Sequence, residues 1–550
     1  MRKKIVISAL LNQIQVGLSE NGHLVEYYWE PDCKKRLLGN IYKGRVENIL
    51  PGMEAAFIDI GLEKNAFLYV ADLYARQAGQ AIQELLKVGQ SILVQVFKEA
   101  DGTKGPRVTT EIALPGRYLV LLPFQDHAGV SRQITADEER NRLREIAEQI
   151  RPPKMGLIIR TVAEGSGQKE LEADLKYLRK EWRKIEAKAK KSTLSTLVYQ
   201  DDDLIHRILR DFLTPGVTEI IVDNTKLHRR VLTELKDLKV KQPVDVIYYG
   251  GPVSLFEYLG LNQDLERARK KKVWLDCGGY LVFDQTEALL SIDVNTGGYV
   301  GGEDLRATVL KTNLQAAQEI AYQLRLRNIG GIVIIDFIDM PKEDQEAVAD
   351  KLRQSLGDDK TRTSLFGFTQ LGLLELTRQK SKKLLADILD VPCPACRGIG
   401  RVPADETVAL QIAAEVYSLA REEDVEAILV KCHQAVGVRL TGAKTGHITV
   451  LEQETGKTVY VRSDQCFPRH QYELVSGSKK RVKEQACPLR VGDRIRATIE
   501  AEQGKKDGLA TVNGFVVKCL RCSSLVGSTA ELEIVKVGRD GAQARLVSED

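Results

Sequence analysis

GGIVIIDFIDM, residues 330–340, holds four β-branched aliphatic residues in succession, Ile332 to Ile335, and then stops at Asp336. An unbroken run of this kind predicts a strand buried on both faces. A carboxylate at the mouth of such a strand is costly to desolvate, so Asp336 needs a partner, and a cation is the natural one. Upstream, EALLSIDVNTGG (287–298) reads as a strand ending near Asp293, followed by a glycine turn. Between the two, Leu305, Val309, Ala316, Ile320 and Leu324 recur at helical spacing, and Asn328-Ile329-Gly330-Gly331 stops the helix. A strand–helix–strand unit makes the two strands parallel in one sheet, with their carboxyl ends on one edge. Asp293 and Asp336 then converge into a hard oxygen site suited to Mg²⁺, with Asn295 as a neutral orienting group. Either aspartate alone could simply cap a turn or a helix; their pairing favours the metal. Asp339 reads as a turn residue or a supporting neighbour.

At 550 residues the chain exceeds what one core can fill, and 43% hydrophobic with 28% charged residues is the composition of a soluble globular protein. The net charge of only +4 means that any nucleic-acid affinity comes from local basic faces. KYLRKEWRKIEAKAKK (176–191) is one candidate, or else a solvated helix side. MRKKIVISALL mimics a signal peptide, but the apolar run ends at Asn12-Gln13 and Asn21-Gly22 is a hairpin signal, so these residues read as the first strands of a domain. No run of ~20 apolar residues could span a bilayer. Nine cysteines, odd in number and mostly scattered, fit a reducing cytoplasm better than a disulfide framework.

Residues 37–120 carry short β-like runs separated by Gly and Pro, the pattern of a small barrel. Residues 121–204 are mixed and more helical, with a boundary at Asp201-Asp202-Asp203. Residues 205–272 alternate helix with the strands TEIIVD and PVDVIYYG. After Asp390 comes a Cys- and Gly-rich knot, VPCPACRGIGRV; residues 403–431 then look helical, 446–475 strand-rich, and short β segments resume from 489.

Several of these stretches resemble the ribonuclease E/G family. They are WLDCGGYLVFDQTEALLSIDVNTGG (274–298), LKTNLQAAQEIAYQLRLRNIGGIVIIDFIDM (310–340), LGLLELTRQK (371–380), CPACRGIG (393–400), IYKGRVENILPGMEAAFIDIG (41–61) and LIIRT (157–161). The resemblance spans roughly residues 1–475, and the DVNTG form brings it closer to the ribonuclease G than to the ribonuclease E branch. It implies a multidomain α/β and β chain. Residues 1–36 and 205–272 would form an RNase H-like subdomain, inactive in the family. Into it are inserted an S1-type OB barrel (37–120) and a 5′-phosphate sensor region (121–204). A DNase I-like α/β catalytic subdomain (273–390), a zinc link (391–402) and a small α+β domain (403–486) follow. The tail, 487–550, resembles a TRAM domain, a small RNA-binding β-barrel.

The same resemblance implies a function. Asp293 and Asp336 would hold one magnesium ion with Asn295 assisting, for cleavage of single-stranded RNA by metal-activated water, leaving 5′-phosphate and 3′-hydroxyl ends. Ribosomal and transfer RNA precursors and mRNA are the implied substrates. Phe57 and Phe67 would stack on bases, although by themselves both read as barrel core, and Lys104 would touch the backbone. Arg160 and Thr161 would capture the RNA's 5′-monophosphate and so stimulate cleavage. Cys393 and Cys396 supply half of a tetrahedral zinc site; family members complete it with the same pair from a second chain, giving a zinc-linked dimer that could pair into a tetramer. Cys519 and Cys522 are a rival second pair within one chain, or two incidental buried thiols. The competing functional class is a noncatalytic RNA-binding protein on the same fold, which has no need of Asp293, Asn295 and Asp336. A DNA phosphodiesterase is disfavoured by two RNA-binding barrels.

Overall fold

The computed structural model describes every residue except 1, 12, 31–35, 75–79, 101–103, 135, 215, 239, 241–242, 298–304, 358, 381, 443–446, 505, 513–514, 540 and 548–550. The chain divides into two compact units, residues 1–390 and 391–550.

In the first unit, Lys3–Leu10 lies at the centre of a five-stranded sheet. On one side it pairs antiparallel with Gln13–Glu20, which turns into His23–Glu30. Asn21 and Gly22 make that turn at φ 52° and 92°, the left-handed pair a two-residue hairpin demands. On the other side lie Val217–Val222 and Asp245–Tyr248, both parallel. Asp203, last of the expected boundary triplet, caps the helix Leu204–Phe212 by accepting from the His206 N–H.

Residues 41–109 close into a barrel, since Ile41–Leu50, first in the ring, pairs with both Ala55–Asp59 and Ser91–Lys98. Val46, Ile58, Leu68, Val94 and Val108 fill it, and Thr196–Tyr199 adds a further strand beside Ile41–Lys43. The basic stretch lies in the helix Gln168–Lys191, which buries Leu171, Leu175, Leu178, Trp182 and Ile185 along one stripe and leaves most of its charges to solvent.

The expected strand–helix–strand unit sits in a six-stranded sheet. Its order is Lys272–Trp274, Tyr280–Gln285, Leu289–Asn295, Gly331–Asp336, Leu373–Arg378, Thr363–Phe368. Helices Leu305–Leu326 and Lys342–Leu356 both pack on the side that carries Ile292, Val294, Val333 and Ile335. The expectation of burial on both faces is therefore corrected. Val333 and Ile335 are fully buried, but Ile332 is 49% exposed, because both helices cover the same face.

In the second unit the helix Asp405–Leu419 is followed by the strand Ala427–His433, flanked by Thr458–Asp464 in parallel and Tyr472–Gly477 antiparallel. The strand-rich expectation for 446–475 is corrected at its start, since His447–Thr455 is a helix that buries Ile448 and Leu451. Strands Arg494–Gln503, Asp507–Val512, Phe515–Leu520, Thr529–Val537 and Ala542–Leu546 form a closed barrel around Phe515, Val517 and Leu532. Arg462 of the preceding domain stacks its guanidinium 4.5 Å from the Phe515 ring centre and donates to the Arg539 carbonyl at 2.8 Å. Arg539 in turn ion-pairs with Glu452, so the barrel is fixed to that domain. Among the described residues, no helix is long and apolar enough to cross a membrane.

Candidate functional site

Asp293 stands directly opposite Asp336 in the pairing of Leu289–Asn295 with Gly331–Asp336. Neighbouring strands lie about 4.8 Å apart and paired residues share a face, so the two carboxylates stand side by side on the sheet face away from the helices. Both are exposed. Asn295, two residues beyond Asp293 and hence on the same face, donates from Nδ2 to Asp293 Oδ2 at 2.7 Å. Partial burial and the charges of Asp293 and Asp339 raise the Asp336 carboxyl above the usual aspartate range. Asp339 is thus close enough to act electrostatically.

One positioning residue was not foreseen. Asn313, buried in helix Leu305–Leu326, donates to the Ile338 carbonyl (2.8 Å) and accepts from the Ile338 N–H (3.2 Å), anchoring the segment between Asp336 and Asp339. Its signal was a polar residue within an otherwise apolar helical stripe.

Among the described residues, no group of three or more His, Cys, Asp or Glu side chains is arranged to hold a metal. The centre therefore offers two carboxylates and an amide. That set fits Mg²⁺, which keeps several waters and takes one or two carboxylates together with substrate phosphate. Two like charges held in register also repel each other, a cost that a bound cation relieves.

Phe57 and Phe67 are registered neighbours, half-buried, with ring centres 6.0 Å apart in an edge-to-face arrangement. Neither belongs to the barrel core, so the core reading of these rings is set aside. Arg107, paired in register with Phe67, extends the same surface and stacks 5.1 Å from the Phe97 ring centre. Lys104 is exposed.

Arg160 and Thr161 lie apart from this surface, at the end of the strand Gly156–Ile159. The Arg160 guanidinium donates to the Gly116 carbonyl at 2.5 Å and pairs with Asp211 at 2.7 Å, while Thr161 Oγ1 donates to Gln133 at 3.0 Å. Burial opposes ionisation of Asp211, but Arg210 and Arg160 outweigh it and hold its carboxyl below the usual range. A phosphate bound here would share or displace the Asp211 contact.

Cys393 is exposed and Cys396 half-buried, in a tight turn where Arg397, Gly398 and Gly400 have φ of 51°, 92° and 78°. Backbone N–H groups of Gly400 and Gly398 point at the Cys396 sulfur and lower its pKa, which favours the thiolate that zinc requires. Cys519 and Cys522 are buried in the C-terminal barrel core, where burial and the neighbouring Cys522 push the Cys519 thiol up to about 11. They are structural thiols, not a second exposed pair.

Comparison with known proteins gives the family of the chain. The family model described as "Ribonuclease E/G family" matches residues 113–381, and "RNase E/G, Thioredoxin-like domain" matches 392–478. The chain is 38% identical over 487 residues to "Ribonuclease G" of Escherichia coli (strain K12), covering 86% of this chain and 100% of that protein. Against "Ribonuclease G" of Haemophilus influenzae it is 38% identical over 486 residues. Against "Ribonuclease E" of Synechocystis sp. it is 40% identical over 403 residues, 70% of this chain and 60% of that protein. With relatives matched over nearly their whole length and carboxylates paired in register on an open sheet face, the chain belongs to the ribonuclease E/G family.

Proposed function

We propose that this ribonuclease of the E/G family is a Mg²⁺-dependent endoribonuclease that cuts single-stranded RNA in the cytoplasm, leaving 5′-phosphate and 3′-hydroxyl ends. Its substrates are precursors of ribosomal and transfer RNA, and mRNA. The observation that carries this reading is the registered pair Asp293 and Asp336, with Asn295 bonded to Asp293. Mg²⁺, when bound, supplies charge to the scissile phosphate and lowers the pKa of an attacking water. Asp293 and Asp336 hold the ion as carboxylates, and Asn295 keeps Asp293 in one orientation. Phe57 and Phe67 offer rings to two bases, each contact being worth ~1–3 kcal/mol, and Lys104 meets the backbone. The C-terminal barrel adds a second, sequence-tolerant RNA contact. Incubation with a short A/U-rich single-stranded RNA, with and without Mg²⁺, tests the core of this reading: cleavage only with the metal is expected.

Asp336 carries the pH dependence. Its raised pKa means that protonation begins at higher pH than for an isolated aspartate, and the protonated acid is a poor magnesium ligand. At sub-saturating Mg²⁺, cleavage therefore falls as pH drops through the upper carboxylate range, and added Mg²⁺ moves the midpoint to lower pH. A midpoint insensitive to Mg²⁺ would contradict the assignment.

Arg160 and Thr161 read the 5′ end. RNA with a 5′-monophosphate is cut faster than the same RNA with a 5′-triphosphate or hydroxyl, and Arg160→Ala removes the preference while basal cleavage persists. Equal wild-type rates on all three substrates would remove the sensor role.

A further inference from the structure

Beside the carboxylates, on the same open face, stands an aromatic cluster that none of these roles uses. Lys272–Trp274 is an edge strand of the six-stranded sheet. Trp274 pairs in register with Tyr280, and Tyr280 with Asn295, so the three side chains form a row that ends on the amide holding Asp293. Trp274 is 55% exposed, a large apolar surface left to water. Its ring centre lies 5.2 Å from that of Tyr280, and Lys272 Nζ sits 4.2 Å and 3.5 Å from the two centres. The cluster is held firmly. Arg267 donates to the Trp274 carbonyl at 2.7 Å. A Cβ on Gly297 (φ 64°) would lie 2.5 Å from the Gly278 carbonyl and 3.6 Å from the Trp274 ring, so the turn after Asn295 packs against the indole.

We propose that Trp274 and Tyr280 form a base-stacking subsite for a nucleotide beside the scissile phosphate, with Lys272 supplying positive charge towards its backbone. A fixed, exposed indole serves this purpose because every base presents a π-face, and the nearby ammonium suits a polyanion. Two strand spacings, about 10 Å, separate the Trp274 and Asn295 positions, so the stacked base flanks the carboxylates on one side only. The inference rests on reading Asp293 and Asp336 as the cleavage centre.

The test uses the full-length chain and a single-site RNA carrying one abasic nucleotide at successive positions around the cut. Besides any positions held by Phe57 and Phe67, the wild type loses efficiency at one position flanking the cut. Trp274→Ala raises KM on intact RNA about 10-fold, as loss of one stacked base predicts, and becomes indifferent to the abasic position; Trp274→Phe recovers most of the loss. Binding is read separately in the Asp336→Asn background, where RNA quenches tryptophan emission and Trp274→Phe abolishes that quench. A Trp274→Ala variant with wild-type KM and abasic profile overturns the subsite, as does a quench that survives Trp274→Phe. Absence of cleavage by the wild type overturns the reading of the carboxylates, and the fluorescence titration then still decides the stacking.

Discussion

Asp293→Asn and Asp336→Asn each reduce the rate of single-turnover cleavage by on the order of 10²–10³-fold or more, the scale for removing one preorganised electrostatic group from a phosphate or oxyanion site. Each change is isosteric and on an exposed face, so neither opens a cavity, and RNA retention in a gel-shift assay remains near wild type. The two variants differ in one respect. Asp336 bears repulsion from both Asp293 and Asp339, so without metal Asp336→Asn slightly raises Tm, whereas Asp293→Asn also disturbs the bond from Asn295. Normal turnover by either variant would remove the metal centre from this account.

Loss of zinc and loss of the dimer should occur together. We expect Cys393 and Cys396 to supply two of four tetrahedral zinc ligands, with Cys396 already biased towards thiolate by the N–H groups of Gly398 and Gly400. A pair shared between two chains gives about half a zinc per chain by metal analysis. Cys393→Ser or Cys396→Ser releases the ion and the partner in one step, because structural zinc contributes on the order of 10 kcal/mol to the assembly that holds it. Cys519→Ser does neither, since that thiol lies in the barrel core; its cost appears in the stability of residues 487–550 alone. One zinc per chain in a monomer would show that other ligands complete the site.

The strand pair that carries Asp293 and Asp336 was legible because its signals are local: apolar runs, polar stops, a helical stripe between them and a glycine exit. Its one-sided burial was not, because Ile332 looks outward and its apolar side chain hides the alternation that the backbone imposes. The helix His447–Thr455 was missed for a related reason. Ile448, Thr449 and Val450 favour strand locally, but burying Ile448 and Leu451 three positions apart satisfies the small domain's core. The outward placement of Phe57 was readable in principle, since it alternates with buried Ala56 and Ile58. No local pattern could show that Arg160 meets Asp211, which comes from a distant helix and depends on the assembled fold.

The N-terminal strand has a consequence for how the chain is made. Lys3–Leu10 completes one edge early with its hairpin partner, but its other edge waits for Val217–Val222. At about 5–20 residues per second, that wait lasts roughly 10–40 s. During it the intervening barrel, whose ring-closing pairings lie within 41–109, can fold and draw nearer the ends of the long connection, with Thr196–Tyr199 joining it later. The apolar edge KIVISAL stays open throughout, a row of unpaired amides and carbonyls available to any neighbouring nascent chain. Fragments that stop before residue 217 keep that edge permanently, and aggregation of such fragments, beside solubility of those reaching residue 250, is the signature of this delay.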